Sequence, residues 1–113
     1  MRKILIAIGS DDLGVELERQ LNNECSVILC FDGITAAELL ESLSIDVLLI
    51  DLSLPLMDGI SVLKGASKRL PPLILATTSY DGAQLQNLIA DVPIDKIFKI
   101  PSDVRLLYRC CSA

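Results

Sequence analysis

Residues 45–59 read Ile-Asp-Val-Leu-Leu-Ile-Asp-Leu-Ser-Leu-Pro-Leu-Met-Asp-Gly, and they decide the fold. Val47 to Ile50 is an unbroken apolar run. A central strand carries such a run when helices cover both of its faces. The run stops at a carboxylate, Asp51. Pro55 and Asp58-Gly59 then supply turn residues, and a helical pattern resumes from Ile60. An acid at the carboxyl end of a buried parallel strand costs free energy unless partners meet it there. In an open α/β sheet that end is also where ligands bind. Asp51 is therefore the first candidate for chemistry.

The same alternation extends in both directions. Towards the N-terminus, Ile4 to Ile8 reads as a buried strand, Gly9 to Asp12 as a turn with a helix cap, and Leu13, Leu17 and Leu21 keep helical spacing up to Asn22-Asn23. Ser26 to Phe31 reads as a second strand closed by Asp32-Gly33. Thr35 is the predicted cap of a helix carrying Ala36, Ala37, Leu40 and Leu43. Beyond the Asp51 strand, a helix is predicted from Ile60 to Leu70, with Gly65 as its weak point and Pro71-Pro72 as its end. Leu73 to Ala76 is the fourth strand, running into Thr77-Thr78-Ser79. Asp81-Gly82 opens a helix with apolar positions Leu85, Leu88, Ile89 and Val92, stopped by Pro93. Ile97 to Ile100 is a short fifth strand ended by Pro101. Ser102 or Asp103 caps a last helix through Val104 and Leu107. Five strands alternating with five helices imply right-handed crossovers and a doubly wound parallel sheet in one α/β domain spanning 1–113.

Composition narrows the function. The chain of 113 residues is 51% hydrophobic, enough for a real core, and its two Tyr and two Phe make that core mostly aliphatic. No apolar run approaches the roughly 18 residues of a membrane span. The five apolar residues after Met1-Arg2-Lys3 are too few for a secretory leader, so the cytosol is expected. A net charge of −5 without a basic stripe argues against direct nucleic-acid binding, and the chain leaves no room for a separate DNA-binding domain. With no histidine there is no Ser-His-Asp triad, no Cys-His pair, no histidine-ligated metal and no phosphohistidine within the chain. Cys25, Cys30, Cys110 and Cys111 match no zinc spacing. The first two read as small hydrophobes at a strand. The last two lie in or near the terminal helix, where an exposed thiol could cross-link.

Asp51, Pro55 and Met57-Asp58-Gly59, directly after an apolar strand, resemble the phosphoacceptor segment of response-regulator receiver domains. Asp32-Gly33 and Ala37 extend the resemblance over essentially the whole chain. It implies a flavodoxin-like five-stranded sheet of order 2-1-3-4-5, with the ends of strands 1, 3, 4 and 5 meeting around Asp51. It also implies that Asp51 is the phosphoacceptor and that Pro55, Asp58 and Gly59 belong to its loop. Thr77 matches the Ser/Thr that hydrogen-bonds the phosphoryl group and relays the switch, while a strand-end hydroxyl bonding the local backbone is the plainer alternative.

Other positions depart from the pattern. Receivers hold Mg²⁺ with an acid pair directly after strand 1 together with the acceptor, because magnesium wants oxygen ligands and two anions must be brought together. Counted without a gap, that pair falls on Ile8 and Gly9. Asp11 and Asp12 lie at least two residues late, where carboxylates cap a helix and favour its dipole. They are the alternative metal ligands only if the loop slips. The lysine that neutralises phosphoryl charge precedes a proline, and here Ile100 precedes Pro101. Lys99, one place earlier, alternates to the other face. Ile97 replaces the switch aromatic, with Phe98 on the wrong parity. An intact site has three carboxylates and a lysine, a double negative charge that a divalent cation cancels. Asp51 alone leaves one negative charge and little reason for Mg²⁺ to bind, and it must be held by backbone N–H groups or shift with burial.

Two functions follow. One is an atypical receiver domain, not an enzyme, that serves two-component or phosphorelay signalling as a protein-interaction module with no cofactor. The other is a working receiver that takes a phosphoryl group from a histidine kinase onto Asp51, with Mg²⁺ held through Asp11 or Asp12. A third, a flavodoxin-like ligand binder, lacks a phosphate-cradling glycine loop after strand 1. The resemblance gives a histidine kinase or other signalling protein as partner, through the helix 4–strand 5–helix 5 face (Gln84 to Val92, Ile97 to Ile100, Val104 to Cys111). That last helix would show Arg105, Tyr108 and Arg109 to solvent. A homodimer is a further arrangement open to it.

Overall fold

The computed structural model describes residues 2–66, 69–78, 82–99 and 109. The order along the chain is β1 (Arg2–Ala7), α1 (Asp11–Leu21), β2 (Cys25–Cys30), α2 (Gly33–Ser42), β3 (Val47–Asp51), α3 (Gly59–Gly65), β4 (Leu73–Thr78), α4 (Gly82–Ile89) and β5 (Lys96–Lys99). The five strands form one parallel sheet in the order β2-β1-β3-β4-β5, as the resemblance to receiver domains implies. Ile100 to Tyr108 and Cys110 to Ala113 lie outside the described residues. With them go the predicted last helix, its caps, Pro101 and the two C-terminal cysteines. Ser79 and Asp81 lie outside as well.

The apolar run of β3 divides its side chains between two layers. Leu48 and Ile50 join Leu5, Ala7, Leu40, Val62, Leu63, Ile74 and Ala76 on the α2–α3 side. Val47 and Leu49 join Ile4, Ile6, Ile8, Leu17, Leu21, Leu75 and Phe98 on the α1 side. These four apolar residues of β3 are within 1% of complete burial. That is why this strand shows no polar alternation: both faces exclude water.

Several boundaries differ from expectation, each for a local reason. α2 is capped by Asp32, three residues before the predicted Thr35. The Thr35 N–H donates to Asp32 Oδ1 at 2.7 Å and its hydroxyl to Oδ2 at 2.8 Å, so Thr35 serves the cap and is not the cap. α1, by contrast, is capped within the expected Gly9–Asp12 turn, by Ser10, whose Oγ accepts from the Leu13 N–H at 3.5 Å. α3 ends at Gly65, not Leu70; the predicted weak point is its last residue, with Ala66 as C-cap. On α4, Leu85 and Ile89 pack on the core while Leu88 is 42% exposed, so it lies off the buried stripe in which the spacing placed it. The second strand sits one residue earlier than predicted, and the fifth begins one residue earlier, at Lys96.

Two strands are pinned in register by the same device. Asp46, just before β3, accepts the Lys3 N–H on Oδ2 at 2.8 Å and donates its own N–H to the Lys3 carbonyl at 2.9 Å. Asp95, just before β5, does the same to Ile74, at 2.7 Å and 2.8 Å. Each aspartate thus fills both backbone groups of a residue on the neighbouring strand where the ladder has not yet begun.

Candidate functional site

Asp51 is the last residue of β3 and is half-buried. Its Oδ1 accepts the Ser53 N–H at 2.9 Å, which turns the chain immediately after the strand and gives the carboxylate a backbone donor. Thr77 sits directly opposite it across the β3–β4 ladder, 3% exposed, and the Thr77 carbonyl accepts the Leu52 N–H at 3.0 Å. The next strand completes the row with Phe98, buried in the α1-side layer. Asp51, Thr77 and Phe98 therefore share one face of the sheet, and alternation puts Ile97 and Lys99 on the other. Ile97 indeed packs on the α2–α3 side. Ile100, at the lysine position of the receiver pattern, lies outside the described residues.

The loop after Asp51 is folded tightly against its neighbours. Pro55 O accepts two N–H groups, from Gly33 at 3.0 Å and from Met57 at 2.8 Å. The second bond closes a three-residue γ-turn over Leu56, whose φ is 69°, the left-handed region that a leucine rarely enters. Asp58 caps α3: its Oδ1 accepts the Ser61 N–H and its Oδ2 the Ser61 hydroxyl, both at 2.9 Å. These bonds, the Ser61 N–H foremost, hold the Asp58 carboxyl below its ordinary value. At Gly59 a Cβ would come within 2.5 Å of the Asp51 carbonyl and 2.9 Å of Leu52 Cα, so only glycine lets α3 start this close to the acceptor strand. The Gly59 N–H also donates to the Leu52 carbonyl at 3.2 Å. Pro55, Asp58 and Gly59 thus shape the loop that carries Asp51.

On the other side of the carboxylate lies Gly9. A Cβ there would stand 3.7 Å from Asp51 Oδ2 and 3.4 Å from Pro55 Cδ, ordinary contact distances. Gly9 is exposed and its φ is not positive, so neither space nor backbone demands glycine. A side chain at position 9 would touch Asp51; this chain supplies none. Ile8 points its side chain into the α1-side core at 1% exposure. Asp11 and Asp12 form the exposed first turn of α1, where carboxylates favour the helix dipole. Among the described residues, no three of the acids and cysteines come together as a group that could hold a metal ion. The described residues around Asp51 therefore do not fit a magnesium site.

Several features escape a reading of the sequence alone. The Asp32 cap was signalled by Asp-Gly-x-Thr, which spells a cap as readily as a turn. The paired Asp46 and Asp95 were signalled by an Ile-Asp step just before each strand. The left-handed Leu56 has no signal of its own type, since leucine gives no hint of a positive φ.

No protein-family model matches the chain, and neither does any curated protein sequence. Solved structures do. The receiver domain of a Francisella response regulator superposes with a TM-score of 0.79 at 22% identity, over 98% of this chain and 99% of that one. A CheY-like receiver domain protein from Methanospirillum hungatei gives 0.87 at 20%, over 98% and 90%. The receiver domain of a sensor histidine kinase from Pseudomonas aeruginosa, solved with a magnesium ion coordinated in its active-site cleft, gives 0.80 at 22%, over 96% and 93%. The fold of this chain is the CheY-like fold of response-regulator receiver domains.

Proposed function

We propose that the protein is an atypical receiver domain of a two-component or phosphorelay system, working in the cytoplasm as a non-enzymatic interaction module. Mg²⁺-dependent phosphorylation of Asp51 is weak or absent in this reading. The observation that carries it is Gly9: a side chain at this position would meet Asp51 Oδ2, and glycine has none. Without a second carboxylate there, a divalent ion finds a single anionic ligand, too few for an ion that favours several oxygens. An acyl phosphate on Asp51 would then form without a cation to offset its charge. Partners are a histidine kinase or another signalling protein, met through α4, β5 and the C-terminal segment, and a homodimer is a further arrangement.

The retained Asp51–Thr77 pair, in register and at the strand ends, favours one second reading: phosphoryl transfer from a histidine kinase to Asp51. The two are separated by incubating the protein with acetyl phosphate and Mg²⁺ and measuring its intact mass. The expected result is no phosphoryl adduct above that of Asp51→Asn. A stoichiometric adduct that Asp51→Asn abolishes establishes the second reading instead.

A further inference from the structure

The end of the sheet opposite Asp51 holds a cavity of about 520 Å³. It lies where residues 42–45 lead from α2 into β3 and residues 69–72 lead into β4. These are the amino ends of the two strands whose carboxyl ends carry Asp51 and Thr77. Leu40 and Ile45 are buried and form the floor, while the half-buried Leu43 and Leu70 and the exposed Pro72 form the walls. Ser44 and Arg69, both exposed, bring polar groups to the same space.

Arg69 is held in place by the way α2 ends. The helix stops without a glycine, its C-cap Leu43 turning to extended backbone at φ −122°. The last carbonyls of a helix have no donors of their own. Arg69 supplies one, its Nη1 donating to the Glu41 carbonyl, while its own backbone N–H is held by the Ala66 carbonyl at 2.9 Å. That contact engages only one of the five N–H donors of a guanidinium. Among the described residues no carboxylate lies within ion-pair distance of Arg69. Ser42 is already committed, its hydroxyl donating to the Glu38 carbonyl at 2.8 Å. A second cavity of about 570 Å³ shares Pro72 as a wall, but it is lined by both Arg2 and Asp46, so its charges select no anion.

We propose that the first cavity binds a small organic carboxylate with an apolar body, its head on Arg69 and Ser44 and its chain against Leu43, Leu70 and Pro72. A guanidinium matches a carboxylate with two parallel N–H bonds, and the contact to Glu41 leaves donors for that fork. Apolar walls with a few convergent polar groups, in a cavity of this size, are what small-molecule sites have in common. A cationic ligand would be repelled by Arg69. The site uses neither Asp51 nor the α4–β5 face, so it stands or falls independently of the function proposed above.

The test is an amide NMR titration with octanoate. Saturable shifts should appear at 40–45 and 69–73. Acetate, which lacks the chain, and octanol, which lacks the charge, should each bind more weakly. Arg69→Gln keeps an amide donor for the Glu41 carbonyl and loses the charge, so its spectrum away from the cavity should match the wild type while octanoate affinity falls by about tenfold. Arg69→Lys, with the charge but not the fork, should fall between the two. Ser44→Leu fills the cavity from its wall, leaves the Arg69–Glu41 bond in place and should abolish binding. No saturable shift, shifts centred elsewhere, or undiminished affinity in Arg69→Gln or Ser44→Leu overturns the proposal and leaves Arg69 as a cap of α2 alone. Octanol or inorganic phosphate binding as tightly as octanoate overturns it as well, the first by removing the need for charge and the second by removing the need for an apolar body.

Discussion

Glycines give the sharpest contrast at the level of single residues. Gly33 and Gly59 are wedged against backbone, the first against Met57 and the second against the Asp51 carbonyl at 2.5 Å, whereas a Cβ at Gly65 meets nothing within 4 Å. Gly33→Ala should therefore destabilise the domain by about 1–3 kcal/mol, since the β3–α3 loop must move off α2. Gly65→Ala should change stability only slightly, and in the favourable direction, by up to about 1 kcal/mol. Urea unfolding of the two variants checks both; a tolerated Gly33→Ala contradicts the packing described. Asp51 was legible in the sequence because an acid ending an unbroken apolar run is chemically conspicuous. Gly9 was legible only by counting from the resemblance, and its distance to Asp51 Oδ2 turns that count into a spatial statement. Leu56 was not legible, because its φ is imposed by the bonds converging on Pro55 O and not by its own side chain.

Secondary-structure elements were read well where one force dominates. The core strands followed from continuous apolar runs and their parallel pairing from a helix between successive strands, whereas their order was implied by the resemblance to receiver domains. Ends were read less well because several polar residues compete for each cap, as Asp32 and Thr35 do at α2. The Asp46 and Asp95 clamps belong to this scale. Each holds a strand start that apolar pattern alone would allow to slip. Asp46→Ala and Asp95→Ala should each cost about 1 kcal/mol, the net worth of a lost hydrogen bond to a backbone N–H, and Asn in place of either should recover part of it. Losses near zero in denaturant titrations, or equal losses in the Asn variants, contradict the clamp.

For the whole molecule, stability should fall at both extremes of pH. The Thr35 N–H and hydroxyl at Asp32, and the Ser61 N–H at Asp58, hold these carboxyls below their ordinary value in the folded state. Their contribution is present above the unfolded value of about 3.9 and is lost as pH falls through the folded values. Cys30 acts at the other end. Burial, followed by the nearby Asp32 charge, pushes its thiol up to about 11. The thiol is neutral in both states below about 8.5, and folding loses stability as pH rises from there toward the folded value, because the unfolded chain ionises first. Denaturation midpoints against pH should fall on both sides, and Cys30→Val should flatten the alkaline limb alone. An unchanged alkaline limb in that variant contradicts the assignment.

The central claim is that Asp51 has kept its place while the group that would join it around a cation is missing at Gly9. Calorimetric titration of Mg²⁺ into the wild type, Gly9→Asp and the double variant Gly9→Asp/Asp51→Asn measures this directly. The account predicts no saturable binding to the wild type, binding to Gly9→Asp, and its loss in the double variant. Saturable Mg²⁺ binding to the wild type that Asp51→Asn removes would contradict it.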